Sequence, residues 1–414
     1  MAEQTAERQD IEIIDPDLYL SAGFPHERFG WLRRHDPVHW HRDPNEGVAG
    51  FWAVTRLADV TRVSRSPETF SSHARGALFE EWPDEDLEYY RMMMLNMDPP
   101  QHSRQRSFVN RGFTPRMIGK LHGRIREICH RLIDGVIEKG EADFVEEVAA
   151  RLPIHVICEL LGAPVADRDH IFRLSNRLVG FDDPEFNASS EDSREVAAEI
   201  YQWSLDLADE RRAAPRDDII SRLLEPDGNG ERLSDTEICL FVLLLLIAGN
   251  ETVRNGASGG LLAFFEHPEQ WRRLLDDRSL LRTAPDEIVR FATPVGLMRR
   301  MAVHDTELGG KRIKAGDKVV LFYPSANRDE TVFADPFVFD VARDPNPHVG
   351  FGAGGAHFCL GTHLARLELR VLFEALLERT PDLEQAGPAR RLRSNFVMGI
   401  KELPVRFTPG ARRH

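Results

Sequence analysis

Between Ser234 and Pro268 no proline interrupts a helical pattern, and Ser234-Asp235-Thr236-Glu237 at its start is a capping box. In that motif the serine hydroxyl and the glutamate carboxylate each accept from the other residue's backbone N–H. The stretch predicts a helix of about 32 residues, roughly 48 Å at 1.5 Å per residue, long enough to cross a whole molecule. Its first half, Ile238 to Ala248, is apolar on every side and must be buried, yet it is about half the roughly 20 residues a membrane span needs. In the middle stand Gly249-Asn250-Glu251-Thr252. Polar groups inside a buried helix cost free energy unless they are paired, so this segment calls for a reason.

A helix of that kind needs a large core around it. Of 414 residues, 42% are hydrophobic and 29% charged, which suits a globular chain and excludes disorder and collagen. Lys and Arg number 53 against 67 Asp and Glu, a net charge of -14 that argues against nucleic acid or an anionic membrane surface as partner. The first ten residues are polar with no apolar targeting run, so a cytoplasmic bacterial protein without a transmembrane anchor is expected, with residues 1–20 a loosely ordered extension. The four cysteines, at 129, 158, 239 and 359, form no C-x-x-C pair and no zinc spacing. Cys129, Cys158 and Cys239 sit in apolar helical stretches and read as core thiols.

Strands are few. Val38–His41 and Gly50–Thr55, separated by Asp43-Pro44-Asn45-Glu46-Gly47, read as a hairpin. Further strand-rich patches run from Met301 to Tyr323 and from Phe396 to Phe407, and the helical period dominates from Gln101 to Thr380. With no linker, repeat or charge block, residues 1–414 predict one mainly α domain with small β-sheets and a long central helix.

The most specific segment is Phe351-Gly352-Ala353-Gly354-Gly355-Ala356-His357-Phe358-Cys359-Leu360-Gly361. Glycines let backbone approach a flat ligand, and a cysteine at the start of a helix has its thiolate favoured by the dipole and by free N–H groups. The segment resembles the haem-binding loop of the cytochrome P450 superfamily, whose cysteine thiolate ligates the iron of haem b. The resemblance spans nearly the whole chain. Glu287-Ile288-Val289-Arg290 is similar to the superfamily's Glu-x-x-Arg helix, with Arg343 as third partner in a structural network. Ala248-Gly249-Asn250-Glu251-Thr252 resembles the oxygen-activation segment. There the small pair Ala248 and Gly249 leaves room above the haem, and Glu251 and Thr252 deliver protons during catalysis. The same likeness gives His102, Arg106, Arg300 and His357 to the propionates. Adjacent Arg299 leaves that register open by one, with Arg300 preferred because it stands in Arg-x-Ala.

The resemblance implies a monooxygenase that hydroxylates an unactivated C–H bond with O2 and two electrons from a separate ferredoxin and its reductase. The donor would dock on the thiolate side near His348, Arg366 and the region after Arg106. Substrate walls in this fold map to Phe79, Trp82 to Met97, Leu244 to Thr252, Pro294 to Met298 and Asn395 to Met398. Met94, Leu95, Leu244, Val295, Leu297, Met298 and Val397 are the candidate contacts, and the apolar list implies a substrate held by burial. Leu95-Asn96-Met97-Asp98-Pro99-Pro100 and Asn346-Pro347-His348-Val349-Gly350-Phe351-Gly352 resemble the actinobacterial group that hydroxylates terminal methyls of steroid side chains and branched lipids. Val253 departs from the threonine of that group. A terpenoid or macrolide tailoring hydroxylase and a non-catalytic haem sensor are the rival readings.

Overall fold

The computed structural model describes residues 11–42, 49–81, 83–178, 183, 185 and 190–413. Four helices position the site: α1 (Gln101–Asn110), α2 (Asp235–Glu266), α3 (Ala284–Ala292) and α4 (Thr362–Arg379). Helix α2 has the expected 32 residues, with both halves of the capping box formed and Pro268 opening the next helix. Ile238 to Leu243, Leu246, Val253, Ala257 and Leu261 are buried along it, against the helices Arg151–Leu161 and Ser190–Ala213 and against α3. By length and apolarity α2 could cross a membrane, but 56% of its most apolar window is buried inside the fold, as in a core helix. Cys129, Cys158 and Cys239 are buried in the same interior.

Five strands form a sheet against one flank: β1 (Val38–His41), β2 (Phe51–Val54), β3 (Phe70–Ser71), β4 (Leu297–Ala302) and β5 (Lys318–Phe322), in the order β1-β2-β5-β4-β3. The hairpin pairs Val38 with Val54 and His41 with Phe51; its turn at 43–48 lies outside the described residues. Strand β5 is buried at every position, the pattern of a central strand covered on both faces.

Residues 11–20 depart from the loose extension expected of them, while 1–10 lie outside the described residues. Asp15 caps a helix over Pro16–Ala22, Ile13 and Tyr19 are buried, and the Tyr19 hydroxyl donates to the Ile13 carbonyl. Leaving those side chains in water would forfeit about 1.5–3 kcal/mol each.

Candidate functional site

The cysteine loop is shaped by glycines in left-handed backbone, with φ of 87° at Gly352, 84° at Gly354 and 78° at Gly355. A Cβ on Gly355 would stand 2.4 Å from the Ser64 carbonyl oxygen, so backbone lies on backbone there and no larger residue fits. The Cys359 N–H donates to the Phe351 carbonyl at 2.9 Å, and the Thr362 hydroxyl donates to the Cys359 carbonyl at 2.7 Å. Burial raises the Cys359 thiol pKa. The Gly361 N–H, the Thr362 hydroxyl and the Arg106 and Arg366 guanidinium groups oppose it, all favouring thiolate.

Beside the loop, arginine and histidine donors gather without a committed anion. The His102 and His357 rings lie tilted by 50° with centroids 4.3 Å apart, and Arg300 is close enough to lower the pKa of both. Burial first, then Arg106 and Arg300, lower the His102 pKa to about 4; burial, Arg300 and His102 lower that of His357 to about 2. The nearest carboxylate, Asp98, is engaged by the Ser71 hydroxyl and the Ser72 N–H. His102 Nδ1 and His357 Nε2 are buried without a partner. Such a set fits a ligand carrying two carboxylates. Among the described residues no cluster of three His, Cys, Asp or Glu could hold a metal, so an iron at Cys359 must arrive inside its own ligand ring. The residues present fit haem.

On β4 the two arginines have different neighbours. Arg300 stands on the His102 side, whereas Arg299 donates to the Glu80 carbonyl and pairs with Glu81, which also binds Lys318. Arg106 behaves differently from expectation: its guanidinium donates to the Ala356 and Phe358 carbonyls at 3.0 and 2.5 Å, so it braces the cysteine loop itself.

At its middle, α2 is open to solvent at Ala248. Leu244 and Thr252 are half-buried and Ala248 is exposed, one stripe at i, i+4 and i+8 fronting a hollow, on a helix most of whose other residues are buried. The Thr252 hydroxyl donates to the Ala248 carbonyl at 2.8 Å. Gly249 is a correction: a Cβ there would lie 2.9 Å from Ile157 Cδ1, so its smallness serves helix packing rather than the hollow. Glu251 is buried and turned along the helix, accepting from Asn255 Nδ2 at 3.2 Å, with Arg254 at 3.7 Å; burial raises its pKa. Sequence reading missed Asn255 and Arg254, although their i+4 and i+3 spacing from Glu251 was there to find.

The wall segments meet: Val295 and Val397 form a β-bridge, and Gly296 N–H donates to the Phe396 carbonyl at 2.7 Å. Met298 and Leu95 are half-buried, and Met94 is largely buried in the main core. Leu297 is a second correction. It is fully buried with Phe29, Phe51 and Val320 on the other face of β4 and offers a ligand no surface. Trp82 lies outside the described residues.

Glu287 and Arg290 are fully buried and bidentate at 2.7 and 2.8 Å, with Arg343 at 3.2 Å and Asn346 Nδ2 at 3.1 Å on the same carboxylate. The expected docking charges are less free than expected. His348 is buried against Asp286 at 2.9 Å, and Arg366 chelates Asp286 while stacking 5.0 Å over Phe351.

The family model described as "Cytochrome P450" matches residues 152–401 of this chain. A Rhodococcus jostii protein named steroid C26-monooxygenase is 43% identical over 407 residues, 96% of this chain and 85% of that one. The chain belongs to the cytochrome P450 family. A methyl-branched lipid omega-hydroxylase of Mycobacterium tuberculosis is 44% identical over 408 residues, 96% of this chain and 95% of that protein. A Mycobacterium marinum cytochrome P450 in complex with pseudoionone superposes with a TM-score of 0.88 at 40% identity, covering 96% of this P450 and 98% of that chain. This P450 is therefore a haem b monooxygenase that uses O2, an apolar substrate and electrons from a redox partner.

Proposed function

We propose that this P450 hydroxylates the terminal carbon of a branched saturated chain, on a steroid side chain or a methyl-branched lipid. The observation that carries this reading is the pair of curated relatives at 43 and 44% identity over 96% of the chain, one named for steroid C26 and one for the ω position of methyl-branched lipids. The incompletely buried apolar side chains of Leu244, Ala248, Val295, Met298 and Val397 support a substrate held by burial. Haem bound at Cys359 supplies the iron that activates dioxygen and inserts one oxygen atom into the C–H bond.

The chain's own groups do the rest. Cys359 would ligate the iron as thiolate, a form that Gly361, Thr362, Arg106 and Arg366 favour against the burial that raises its pKa. His102, His357 and Arg300 hold the propionates, and Arg106 holds the loop they border. The Thr252 hydroxyl, oriented by the Ala248 carbonyl, positions water in the hollow. Glu251, protonated more readily because it is buried, feeds protons toward Thr252 from its seat on Asn255. A small acidic ferredoxin with its reductase is the electron donor, docking on the cysteine-loop side where Phe358 is exposed, and the setting is the bacterial cytoplasm.

Spin-state titration of the haem-loaded protein tests the substrate reading. Cholesterol and 15-methylhexadecanoic acid are expected to give a low-to-high-spin shift, and turnover is expected to place oxygen on the terminal carbon. A shift with macrolides or cyclic terpenoids and none with either probe overturns it.

A further inference from the structure

Thr293 is a non-glycine residue in left-handed backbone, at φ 42° and ψ 72°, and it is buried. For a β-branched side chain that conformation costs free energy and persists only where its surroundings impose it. It closes α3 and reverses the chain into Pro294-Val295-Gly296, the wall segment. Its hydroxyl donates to the Arg290 carbonyl at 2.7 Å and accepts from Asn327 Nδ2 at 2.9 Å. Asn327, fully buried, turns its Oδ1 to the Val349 N–H at 2.8 Å and gives its own carbonyl to Arg290 Nη1 at 3.0 Å. Two residues beyond Val349, the Phe351 carbonyl accepts from the Cys359 N–H at 2.9 Å.

The contacts form one buried line from the wall to the cysteine loop. On the far side the wall is fixed as well, since the Pro294 carbonyl accepts from the Met398 N–H at 2.9 Å and Gly296 binds Phe396. Arg328 stiffens the same corner, donating to the carbonyls of Arg290 and Phe291 at 2.9 Å while its guanidinium lies 4.2 Å over the Phe291 ring. A wall that shifts when filled therefore pulls on an element whose other end is the loop that presents the thiolate. Interfaces of this rigidity transmit small displacements rather than absorb them.

We propose that Thr293 and Asn327 are positioning residues that couple occupancy of the substrate wall to the electronic state of the haem thiolate. The inference rests on Cys359 as haem ligand and on Pro294 to Met298 as wall, but not on which substrate fills it. Coupling runs through the hydroxyl of Thr293 and the amide donor of Asn327, while Arg290 on the Asn327 carbonyl holds the corner together without them. Loss of either weakens the coupling and leaves wall and loop in place.

The test uses the haem-loaded full chain as wild type, Thr293→Ser and Thr293→Val. Serine keeps the hydroxyl; valine keeps the β-branched shape and the backbone strain but not the hydroxyl. The readout is the haem reduction potential with 4-phenylimidazole bound minus that with imidazole bound. Both probes ligate through an imidazole nitrogen and the phenyl group's electronic effect is the same in every variant, so a change in this difference between wild type and variant reports the phenyl group's pressure on the wall. We expect the difference in wild type and Ser, and less than half of it in Val, while the reduced carbon monoxide complex keeps its thiolate spectrum in all three. Should Thr293→Val fail to hold haem, Asn327→Asp carries the same comparison, since it still accepts from Val349 but offers Thr293 no donor. Equal differences in wild type and variant overturn the proposal, because a merely structural role would lower stability and leave this quantity unchanged. A parallel arm with cholesterol separates the two readings: no cholesterol binding to wild type counts against the substrate, and the imidazole pair still decides the coupling.

Discussion

Replacing Glu287 by alanine removes the anion at the centre of a buried cationic corner. The carboxylate takes two bonds from Arg290 at 2.7 and 2.8 Å, one from the Asp340 N–H at 2.8 Å, one from Asn346 at 3.1 Å, and the Arg343 ion pair at 3.2 Å. Glu287 and Arg290 have no exposed surface, so water cannot replace the lost partner. Two unit charges about 4 Å apart interact by about 4 kcal/mol at an effective dielectric of 20, and stranding one partner of a buried pair costs about 3–5 kcal/mol. Arg328 adds to the cost. It is buried beside Arg290, and burial, then Arg290, pushes its pKa well below the ordinary arginine value, relieved in part by Glu287.

With roughly 5–15 kcal/mol as the whole stability of a folded protein, Glu287→Ala is expected to lose about 3–5 kcal/mol. Glu287→Gln, which keeps an acceptor but not the charge, is expected to lose about 1.5–3 kcal/mol. Urea unfolding followed in parallel by far-ultraviolet circular dichroism and by the haem Soret band measures both, and coincident curves license the two-state treatment. An exposed ion pair gives about 0.2–1 kcal/mol. A loss of that size in Glu287→Ala would refute the assignment of this corner as the support of the cysteine loop.

Acid should unfold the haem-free chain from about pH 6.5 downward: the folded chain holds His102 and His357 neutral to about pH 4 and 2, whereas the unfolded chain takes up both protons, so stability falls as pH drops. Denaturant midpoints at pH 7 and 5 check this, and a midpoint higher at pH 5 contradicts it. Arg300→Ala should speed haem transfer to apomyoglobin at least 10-fold, and Arg299→Ala less than 3-fold, since losing a charged hydrogen bond of about 1.5–3 kcal/mol corresponds to roughly 10–150-fold; equal rates would mean that both or neither face the propionates. Thr252→Ala and Glu251→Gln should each lower product formation about 10²-fold while electron consumption continues and appears as hydrogen peroxide. Product and consumption falling together would remove both residues from proton handling.

The central helix was legible to the residue because its signals are local: a capping box, an uninterrupted apolar stretch and a terminating proline act within one turn of where they stand. The cysteine loop was legible for a similar reason, since left-handed glycines and a cysteine before a helix encode their own backbone. Glu251 was found but not its seat, because adjacency to Thr252 suggested a shared direction, whereas successive helical residues diverge by about 100°. On β4 the difficulty was parity. Leu297-Met298-Arg299-Arg300 shows no polar alternation, and a slip of one residue exchanges the two faces of a strand. Expecting both Leu297 and Arg300 at the cavity contradicts that geometry, because residues three apart on a strand face opposite ways. Once Arg300 stands with His102 and His357, Met298 must share its side, and Leu297 must join Arg299 on the other. The buried position of Leu297 among Phe29, Phe51 and Val320 is thus independent support for Arg300 as the propionate arginine.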